Sequence, residues 1–499
     1  MTHLLPIFTS RKWKAFNFSL LRVLWLFIVL SKVSNVFGQK ETANWFFGSG
    51  AGLDFNGSAP VATTNGSLHT LEGCSSISDS TGKLLFYTDG VKVWNRMHQV
   101  MANGTDLWGN WSTTQSALIV KQPSLDLYYI FTVDFQAGAF GNYGGLAYSI
   151  VDMRLEDGLG AVTTKNTPLL TPTAEKISAV HHRNGTDVWI MTQQWGSNAK
   201  YAWLLTGNGL NPTPAISRLG IVHNNPVNGN GQAQGHLKFS HNGQKAASTI
   251  THNGLIELYD FDNSTGVLSN LKTLNMDDGY YALEFSPNDS ILYTTSNTKL
   301  YQFHIALPTE KQIYDSRFLL YEIPVTPTAF LFGGMQLALD SKIYLGKRNA
   351  ESLGVITYPD SLGLSCNYQH TAIFLNGRRN SSGLPNFVQS LFSDRLKTPD
   401  PISNPGPADT TTTVSQNPGI YITPLPYTPN YKIVVQDPEL KYVEVYLYND
   451  IGQVIFTRKE NNLSKKFTTE LDLSRYARSI YFVVVLTNKG KAIRKIVKF

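Results

Sequence analysis

Histidine is the residue type best suited to chemistry in this chain, because its imidazole titrates near neutral pH and binds metals. His181 and His182 directly precede the turn that begins at Asn184. Histidines beside such a turn favour a hydrogen-bonding role within the fold over catalysis. Four others fall within about thirty residues of one another, with a spacing that fits no known metal motif. They are His223, His236, His241 and His252.

Paired acids offer a second kind of chemistry, the binding of calcium. Asp277-Asp278 and the pair Asp260 and Asp262 carry the right oxygen ligands, but they lack the regular spacing of a dedicated calcium loop. No Gly-x-Ser-x-Gly elbow supplies a serine nucleophile. The sequence therefore predicts solvated turns here, no catalytic, cofactor-binding or metal residues, and no cofactor, with calcium left open.

Four tryptophans lie near predicted loops or strand ends, where an indole ring is able to stack on a sugar. They are Trp108, Trp111, Trp195 and Trp203. The alternative is that they are ordinary core aromatics. We treat all four as candidate ligand-stacking residues.

The elements that must position these residues are β-strands. Aromatic residues make up 12% of the chain and charged residues only 16%, and glycine is frequent at predicted turns. The net charge is +6, but its basic excess is concentrated in residues 1–38 and 430–499, which leaves residues 39–429 mildly acidic. An acidic body excludes a nucleic-acid partner, which would require a clustered basic surface.

A repeated unit, a polar turn followed at once by a short apolar strand, occurs six times in the middle of the chain. The copies begin at Asp79, Ser124, Asn184, Ser240, Ser286 and Asp340. Intervals of 44 to 59 residues between turn residues of successive copies predict the blades of a β-propeller, with the turn in most copies joining the second and third strands of a blade. A seventh blade is expected from the strand at Asn44 together with the one at Pro385. The alternative is a long β-sandwich or two stacked β domains.

The start of the chain has the order of a secretory signal peptide. Arg11, Lys12 and Lys14 precede an apolar run, and Val36-Phe37-Gly38 provides small residues for cleavage after Gly38. An uncleaved anchor is the alternative. We predict a signal peptide over residues 1–38 and no transmembrane anchor in the mature form.

The cysteine content is too low for a disulfide framework or a metal site. Cys74 and Cys366 are the only two. In an exported protein they could form one disulfide, and the alternative is two separate buried thiols.

The end of the chain changes composition twice. Residues 394–429 are rich in Pro and Thr and predict an extended linker. Residues 430–499 show short alternating strands separated by turns, which predict a small β-sandwich. With the propeller over residues 39–393, the expected fold is all-β.

Residues 44–393 resemble secreted β-propeller proteins of Bacteroidetes-type bacteria. The shared stretches begin at Trp45, Glu72, Leu85, Thr114 and Gly383 (Gly-Leu-Pro-Asn-Phe). This resemblance implies the fold and an extracellular location but supplies no reaction.

Residues 430–499 resemble the type A-like C-terminal sorting domain of the type IX secretion system. The matching features are the Asp450…Gly452 turn, Leu471-Asp-Leu-Ser, the strand from Ile480 and the basic end, whereas Ser479 stands where the family usually has glycine. The resemblance implies a partner, the type IX machinery, followed by removal of the tail and release or attachment at the surface. A free-standing carbohydrate- or partner-binding sandwich is the alternative.

Two functions remain compatible with the sequence. The first is a secreted or surface-bound binding and adhesion module, whose partner would be a glycan or a surface protein, because a rigid ring presents loops at one end. The second is a propeller hydrolase, lactonase-like or acting on polysaccharides, with its site in the central channel. We favour the binding module.

Overall fold

The structure of the chain is a computed structural model with two compact units, residues 1–401 and 402–499. It describes residues 40–135, 145–224, 231–275, 279–324, 331–393, 419–424, 430–436, 438–449, 454–461, 465–477, 479–488 and 490–498. The predicted signal peptide with its cleavage site after Gly38 lies outside these residues, as does most of the predicted linker.

Within the described part of the first unit, the strands form seven small antiparallel sheets, which we call blades 1 to 7 in chain order. Blades 1 and 2 contain β1 (Asn44–Phe47), β2 (Ala51–Asp54), β3 (Val61–Thr63) and then β4 (Ser75–Ser78), β5 (Leu84–Thr88), β6 (Val93–Asn95). Blades 3 and 4 contain β7 (Ala117–Lys121), β8 (Leu127–Val133), β9 (Leu146–Asp152), β10 (Ala161–Leu170) and then β11 (Thr173–His181), β12 (Val188–Gln194), β13 (Ala199–Thr206), β14 (Gly209–Leu210), β15 (Ala215–Arg218). Blade 5 contains β16 (Leu237–Phe239), β17 (Lys245–Ile250), β18 (Leu255–Asp262) and β19 (Val267–Asn275). Blades 6 and 7 contain β20 (Tyr280–Phe285), β21 (Ile291–Ser296), β22 (Lys299–His304), β23 (Phe318–Glu322) and then β24 (Phe332–Leu337), β25 (Ile343–Lys347), β26 (Ser352–Ile356), β27 (Tyr368–Phe374).

Among the described residues, helix is confined to connections between strands. The α-helix α1 (Glu310–Asp315) joins β22 to β23. Short 3-10 turns are Glu156–Gly158, Thr251–Asn253, Gly363–Cys366 and Gln389–Phe392. No helix of the described residues has the length and apolar composition to span a membrane.

The blades form a ring, because the first strand of each one packs against that of the next. Successive contacts link β1 with β4, β4 with β7, β7 with β11, β11 with β16, β16 with β20 and β20 with β24. Blade 7 returns to blade 1 where the ring of Tyr344 meets the buried Trp45, with centroids 5.6 Å apart. The first unit is thus a seven-bladed β-propeller, as the sequence repeats predicted.

The repeated turns explain why the sequence repeat is visible. Each of the six copies contains one residue with positive φ, a conformation that Gly, Asn and Asp tolerate best. These residues are Gly82, Ser124, Gly185, Gly243, Asp289 and Ser341. Each turn joins the first strand of its blade to the second. The prediction that these turns join the second and third strands was therefore wrong.

We call the two ends of the ring the upper and the lower face. First strands of blades 2 to 7 begin at the upper face and end at the lower face. The repeated turns therefore lie at the lower face, and the connections between second and third strands lie at the upper face.

The ring is closed by residues from both ends of the propeller, although not as one sheet. Residues 383–393, the axial segment, enter at the upper face and run in the same direction as the first strands. Their only strand-like pairings in the described structure are single parallel bridges of Pro385 with Cys74 and of Val388 with Ala179. Phe387 packs against Trp45 with ring centroids 5.9 Å apart. The axial segment thus occupies the innermost position beside β1, but β1 pairs only with β2, and blade 1 has three paired strands.

Buried polar side chains fill the ring below the upper face. The Lys238 ammonium of blade 5 pairs with Glu284 of blade 6 and donates to the Gln336 Oε1 of blade 7 at 2.8 Å. On the other side Gln115 accepts hydrogen bonds from the backbone of Leu237 (2.8 Å) and Ile177 (3.3 Å), which joins blades 3, 4 and 5. These hydrogen bonds connect the first strands of neighbouring blades, or residues next to them, across the ring.

The second unit is a sandwich of two antiparallel sheets. One sheet has the order β28-β29-β32 and the other β31-β30-β33-β34. The strands are β28 (Gly419–Pro424), β29 (Tyr431–Gln436), β30 (Tyr442–Tyr448), β31 (Val454–Asn461), β32 (Lys466–Leu471), β33 (Ser479–Thr487) and β34 (Gly490–Lys498). Alternate residues of β29 and β30 point into a core that includes Ile433, Val435, Val443 and Val445. Since β28 pairs with β29, the sandwich begins about ten residues before the predicted boundary at 430.

Cys74 and Cys366 are free thiols, and both are buried. Cys74 lies at the axis, where its backbone oxygen accepts from Asn386. Cys366 ends a 3-10 turn outside blade 7, beside Tyr293. The possible disulfide between them is therefore not formed, because the fold places the two cysteines in different surroundings.

Candidate functional site

A polar cavity of about 340 Å³ opens at the upper face. Its walls come from the loops before the first strands and from the turns between second and third strands. The lining residues are Glu72, Gln234, Thr251, Gly279, Tyr281, Asn297, Leu331, Phe332, Arg348 and Ser382. We call this cavity the axial pocket.

Glu72 is held by backbone contacts on two sides. Its N–H donates to the carbonyl of Trp111 at 3.2 Å, and the neighbouring Leu71 carbonyl accepts from Gly383. A Cβ atom on Gly383 would lie 1.7 Å from the Glu72 carbonyl oxygen, so only glycine fits at this position. The axial segment therefore fixes the backbone that carries the Glu72 carboxyl group.

The surroundings of Glu72 favour its protonated form. Burial, followed by the negative charge of Glu175, raises its pKa to about 8, while Tyr281, Arg348 and Thr114 act in the opposite direction. Its Oε2 atom is buried and has no hydrogen-bond partner among the described residues. At neutral pH Glu72 is therefore mostly an uncharged carboxylic acid that faces the pocket.

Glu175 stands behind Glu72 and does not reach the pocket. Its side chain is 0% exposed, and one carboxylate oxygen accepts from both the backbone N–H and the hydroxyl of Thr114 at 3.2 Å. Of the two neighbouring carboxyl groups, only that of Glu72 lines the pocket.

Tyr281 and Arg348 form the opposite wall. The Tyr281 ring lies beside the buried ring of His236, with centroids 5.6 Å apart. Burial and then the charge of Lys238 hold the pKa of His236 well below its usual value, so this imidazole is neutral at pH 7. Arg348 lies in the exposed turn between β25 and β26, and its backbone N–H donates to Leu331 at 2.8 Å.

The remaining histidines do not form a common site. His181 lies at the lower face, where Ser390 holds its Nδ1 at 2.7 Å, and burial lowers its pKa to about 4. His182 accepts from the Asn184 N–H at 3.0 Å. His241 contacts Asp289 at 3.0 Å, also at the lower face. His223 is buried between blades 4 and 5.

Buried charges between blades 4 and 5 also have a structural role. The Lys200 ammonium donates to the Leu219 carbonyl at 3.0 Å and lies 3.5 Å from Glu257. Lys176 donates to the Thr249 carbonyl at 2.6 Å, and burial lowers its pKa to about 7. These groups join neighbouring blades without lining the axial pocket.

The candidate calcium ligands do not converge in the described residues. Asp260 pairs with Lys245 at 2.8 Å, and Asp262 accepts from the backbone of Ser264 in a turn. Asp277-Asp278 lies outside the described residues, and the side chain of His252 is likewise not described. No group of three potential metal ligands forms among the residues that the structure describes.

Three of the four candidate tryptophans lie on the upper face. Trp111 is 53% exposed, and its backbone carbonyl accepts the hydrogen bond from Glu72. Trp108 is 39% exposed, and the next residue, Gly109, donates to the Gly90 carbonyl in the β5–β6 turn. Trp195 is half-buried in the β12–β13 turn. Trp203 is only 3% exposed and packs in the core of blades 3 and 4, so the structure contradicts its assignment as a stacking residue.

Sequence reasoning did not select Glu72, Tyr281 or Arg348. Two signals for the pocket were nevertheless present, since Glu72 opens one resemblance stretch and Gly383 opens another. These two stretches meet in the fold, where Gly383 packs on Glu72. Tyr281 and Arg348 carry no comparable signal, because nothing in their local sequence places them together.

The described residues form a seven-bladed propeller and, after it in the chain, a small sandwich, and comparison with known families specifies the second part. Residues 420–498 match the family of the secretion system C-terminal sorting domain. This domain engages the type IX secretion machinery. The chain is thus exported to the cell surface or the extracellular space.

Solved structures similar to this chain have low sequence identity to it. A periplasmic gluconolactonase of Pseudomonas aeruginosa is 11% identical, with 86% of this chain and 98% of that chain covered and a TM-score of 0.38. A putative 6-phosphogluconolactonase from Bacteroides uniformis is 15% identical, with 81% and 100% covered and a TM-score of 0.37. A functionally unknown protein from Desulfotomaculum acetoxidans is 11% identical, with 69% and 86% covered and a TM-score of 0.39. A search of curated proteins found no match.

Proposed function

We propose that the propeller is an extracellular glycan-binding module whose ligand enters the axial pocket. The observation that carries this proposal is the carboxyl group of Glu72 in the lining of the pocket, whose buried Oε2 lacks a hydrogen-bond partner among the described residues. A buried polar atom without a partner costs free energy, which a ligand hydroxyl would recover.

The aromatic residues of the upper face support a carbohydrate as the ligand. Sugars combine hydroxyl groups with apolar ring faces, so their sites pair polar pockets with exposed aromatic rings. Trp111 is exposed, and its backbone binds that of Glu72. Trp108 and Trp195 lie on the same face, in the β6–β7 loop and the β12–β13 turn.

A hydrolase is the second candidate, and the raised pKa of Glu72 favours it. A carboxyl group that holds its proton near neutral pH is suited to general acid catalysis. Glycoside hydrolysis, however, ordinarily needs a second accessible carboxylate. Glu175 is fully buried and bonded to Thr114, so it is not available for that role. The geometry supports binding better than hydrolysis.

A glycan array with the purified protein tests the proposal, with each positive glycan titrated by calorimetry. We expect binding to at least one class of polysaccharide, and a loss of about tenfold or more in affinity for Glu72→Ala. The matched control is Glu156→Ala, an exposed glutamate outside the pocket.

The same samples distinguish binding from hydrolysis. Incubation of each bound glycan with the protein, followed by measurement of new reducing ends, should give no product. Turnover that Glu72→Gln abolishes would establish the hydrolase instead, and absence of any glycan binding would refute the proposal.

A further inference from the structure

The charged groups of the axial pocket are few and unequally exposed. Among its described lining residues, Glu72 carries the only carboxyl group and Arg348 the only basic side chain. Arg348 is exposed at the mouth, and its guanidinium has no ion pair or hydrogen bond among the described residues. By contrast, the nearby Arg379 pairs with Glu351 at 2.9 Å.

The axial pocket combines one purely donating group with neutral polar groups. The Arg348 guanidinium presents five N–H groups in a fork that matches a carboxylate, whereas the Tyr281 and Thr251 hydroxyls and the Gln234 and Asn297 amides both donate and accept. Arg348 is therefore the group of the described lining that selects for an anionic, acceptor-rich ligand.

We infer that the glycan bound in the axial pocket carries a carboxylate, as in a uronic acid, and that Arg348 recognises this carboxylate. The inference rests on the proposed glycan-binding function and specifies its ligand class. Binding places the ligand carboxylate at the mouth, on Arg348, and a sugar hydroxyl deeper, on Glu72.

The groups around Glu72 determine how this recognition depends on pH. Facing it are Glu175 from β11, Tyr281 from β20, Thr114 from the loop before β7 and Arg348 from the β25–β26 turn. While Glu72 holds its proton, Arg348 supplies the only formal charge of the described lining, and it is positive. Ionisation of Glu72 adds a negative charge and weakens the binding of an anionic ligand.

The test compares acidic oligosaccharides with their neutral derivatives. Fragments of polygalacturonate, alginate and hyaluronate are titrated into the protein by calorimetry, each beside its carboxyl methyl ester. At pH 6.5 we expect at least one acidic fragment to bind about tenfold more tightly than its ester, and this preference to decline at pH 9.

Variants assign the preference to Arg348. Arg348→Gln should remove the preference for the acid over the ester while leaving the affinity for the ester unchanged. Arg183→Gln, at the lower face, should leave both affinities unchanged. Equal binding of acid and ester, or a preference that survives in Arg348→Gln, would overturn the inference.

An array of neutral glycans distinguishes failure of this inference from failure of the proposed function. If neutral glycans bind and the uronates do not, the ligand class is wrong but the glycan-binding function stands. If neither class binds, the proposed function fails and the inference fails with it.

Discussion

Glu72 links the charge of the pocket to the stability of the propeller. Its pKa rises from 4.5 to about 8 on folding, so between these pH values the folded protein retains a proton that the unfolded chain has released. Stability therefore decreases as pH rises from 4.5 to about 8 and is unaffected by this group above that range. Glu72→Gln should flatten this decrease, as measured by urea unfolding at pH 5 and pH 9. The exposed Glu156→Gln should leave it unchanged, and a Glu72→Gln protein that retains the full decrease would contradict the assignment.

The tryptophans offer a matched pair, one exposed and one buried. Trp111→Ala should lower glycan affinity by about tenfold with little change in stability, because the ring is exposed. Trp203→Ala should cost about 3–5 kcal/mol of unfolding free energy, because it leaves a cavity in the core. Calorimetric titration and urea unfolding of both variants measure the two effects. Loss of stability in Trp111→Ala without loss of binding would show that Trp111 is structural.

Both thiols should be present in the purified protein and protected in its native state. Cys74 and Cys366 are buried, and burial raises the pKa of each thiol, so neither forms the reactive thiolate readily. A thiol-specific reagent should label neither residue in the native protein and both after unfolding without reductant. Failure to label the unfolded, unreduced protein would show that a disulfide exists after all.

At the scale of the element, the axial segment is the piece of structure on which both the ring and the pocket depend. Gly383→Ala would place a Cβ 1.7 Å from the Glu72 carbonyl oxygen, so the backbone of one of the two residues must move. This movement should lower the free energy of unfolding by about 1–3 kcal/mol or more. Glycan affinity should decrease as well, because the Glu72 backbone moves. Urea unfolding and titration measure both effects.

Gly57→Ala is the matched control for Gly383→Ala. The nearest atom to a Cβ at Gly57 is 3.4 Å away, so this change should alter neither stability nor binding. If Gly383→Ala behaved like Gly57→Ala, the close approach between the axial segment and Glu72 would be incorrect.

The elements themselves were largely predictable from sequence, and their pairing less so. Each repeated turn carries a local signal, a cluster of small polar and Gly residues next to an apolar strand, so six blades could be found directly. The remaining blade, blade 1, closes the ring through contacts of Trp45 with Phe387 and Tyr344. These contacts join distant parts of the chain, and no local pattern encodes them. The same limitation hid the axial pocket, because Glu72, Tyr281 and Arg348 come from blades 2, 6 and 7.

At the scale of the whole molecule, delivery belongs to the sorting domain, and the binding that we propose belongs to the propeller. Residues 420–498 match the sorting domain, and the pocket belongs entirely to the first unit. A protein that lacks residues 420–498 should therefore stay on the periplasmic side of the outer membrane and keep its glycan affinity. Cell fractionation with immunoblotting measures the location, and titration of the retained protein measures binding. Surface exposure of the truncated protein would contradict the role of the tail.

Both ends of the propeller lie at the lower face. The Glu41 carbonyl accepts from Ser78 at the end of β4, and Ser393 lies in a lower-face cavity with His181 and His241. The chain therefore leaves the propeller on the side away from the axial pocket.

The position of the axial segment also determines when the propeller is able to finish folding. This segment supplies Phe387 to the aromatic contacts around Trp45, yet it is the last part of the propeller in the chain. During synthesis the strands of blades 1 to 7 are therefore made before the axial segment, and blade 1 lacks its innermost residues until residue 393 has been added. The sorting domain at residues 420–498 follows shortly afterwards. Completion of the ring is thus a late step of synthesis, close in the chain to the segment that directs export.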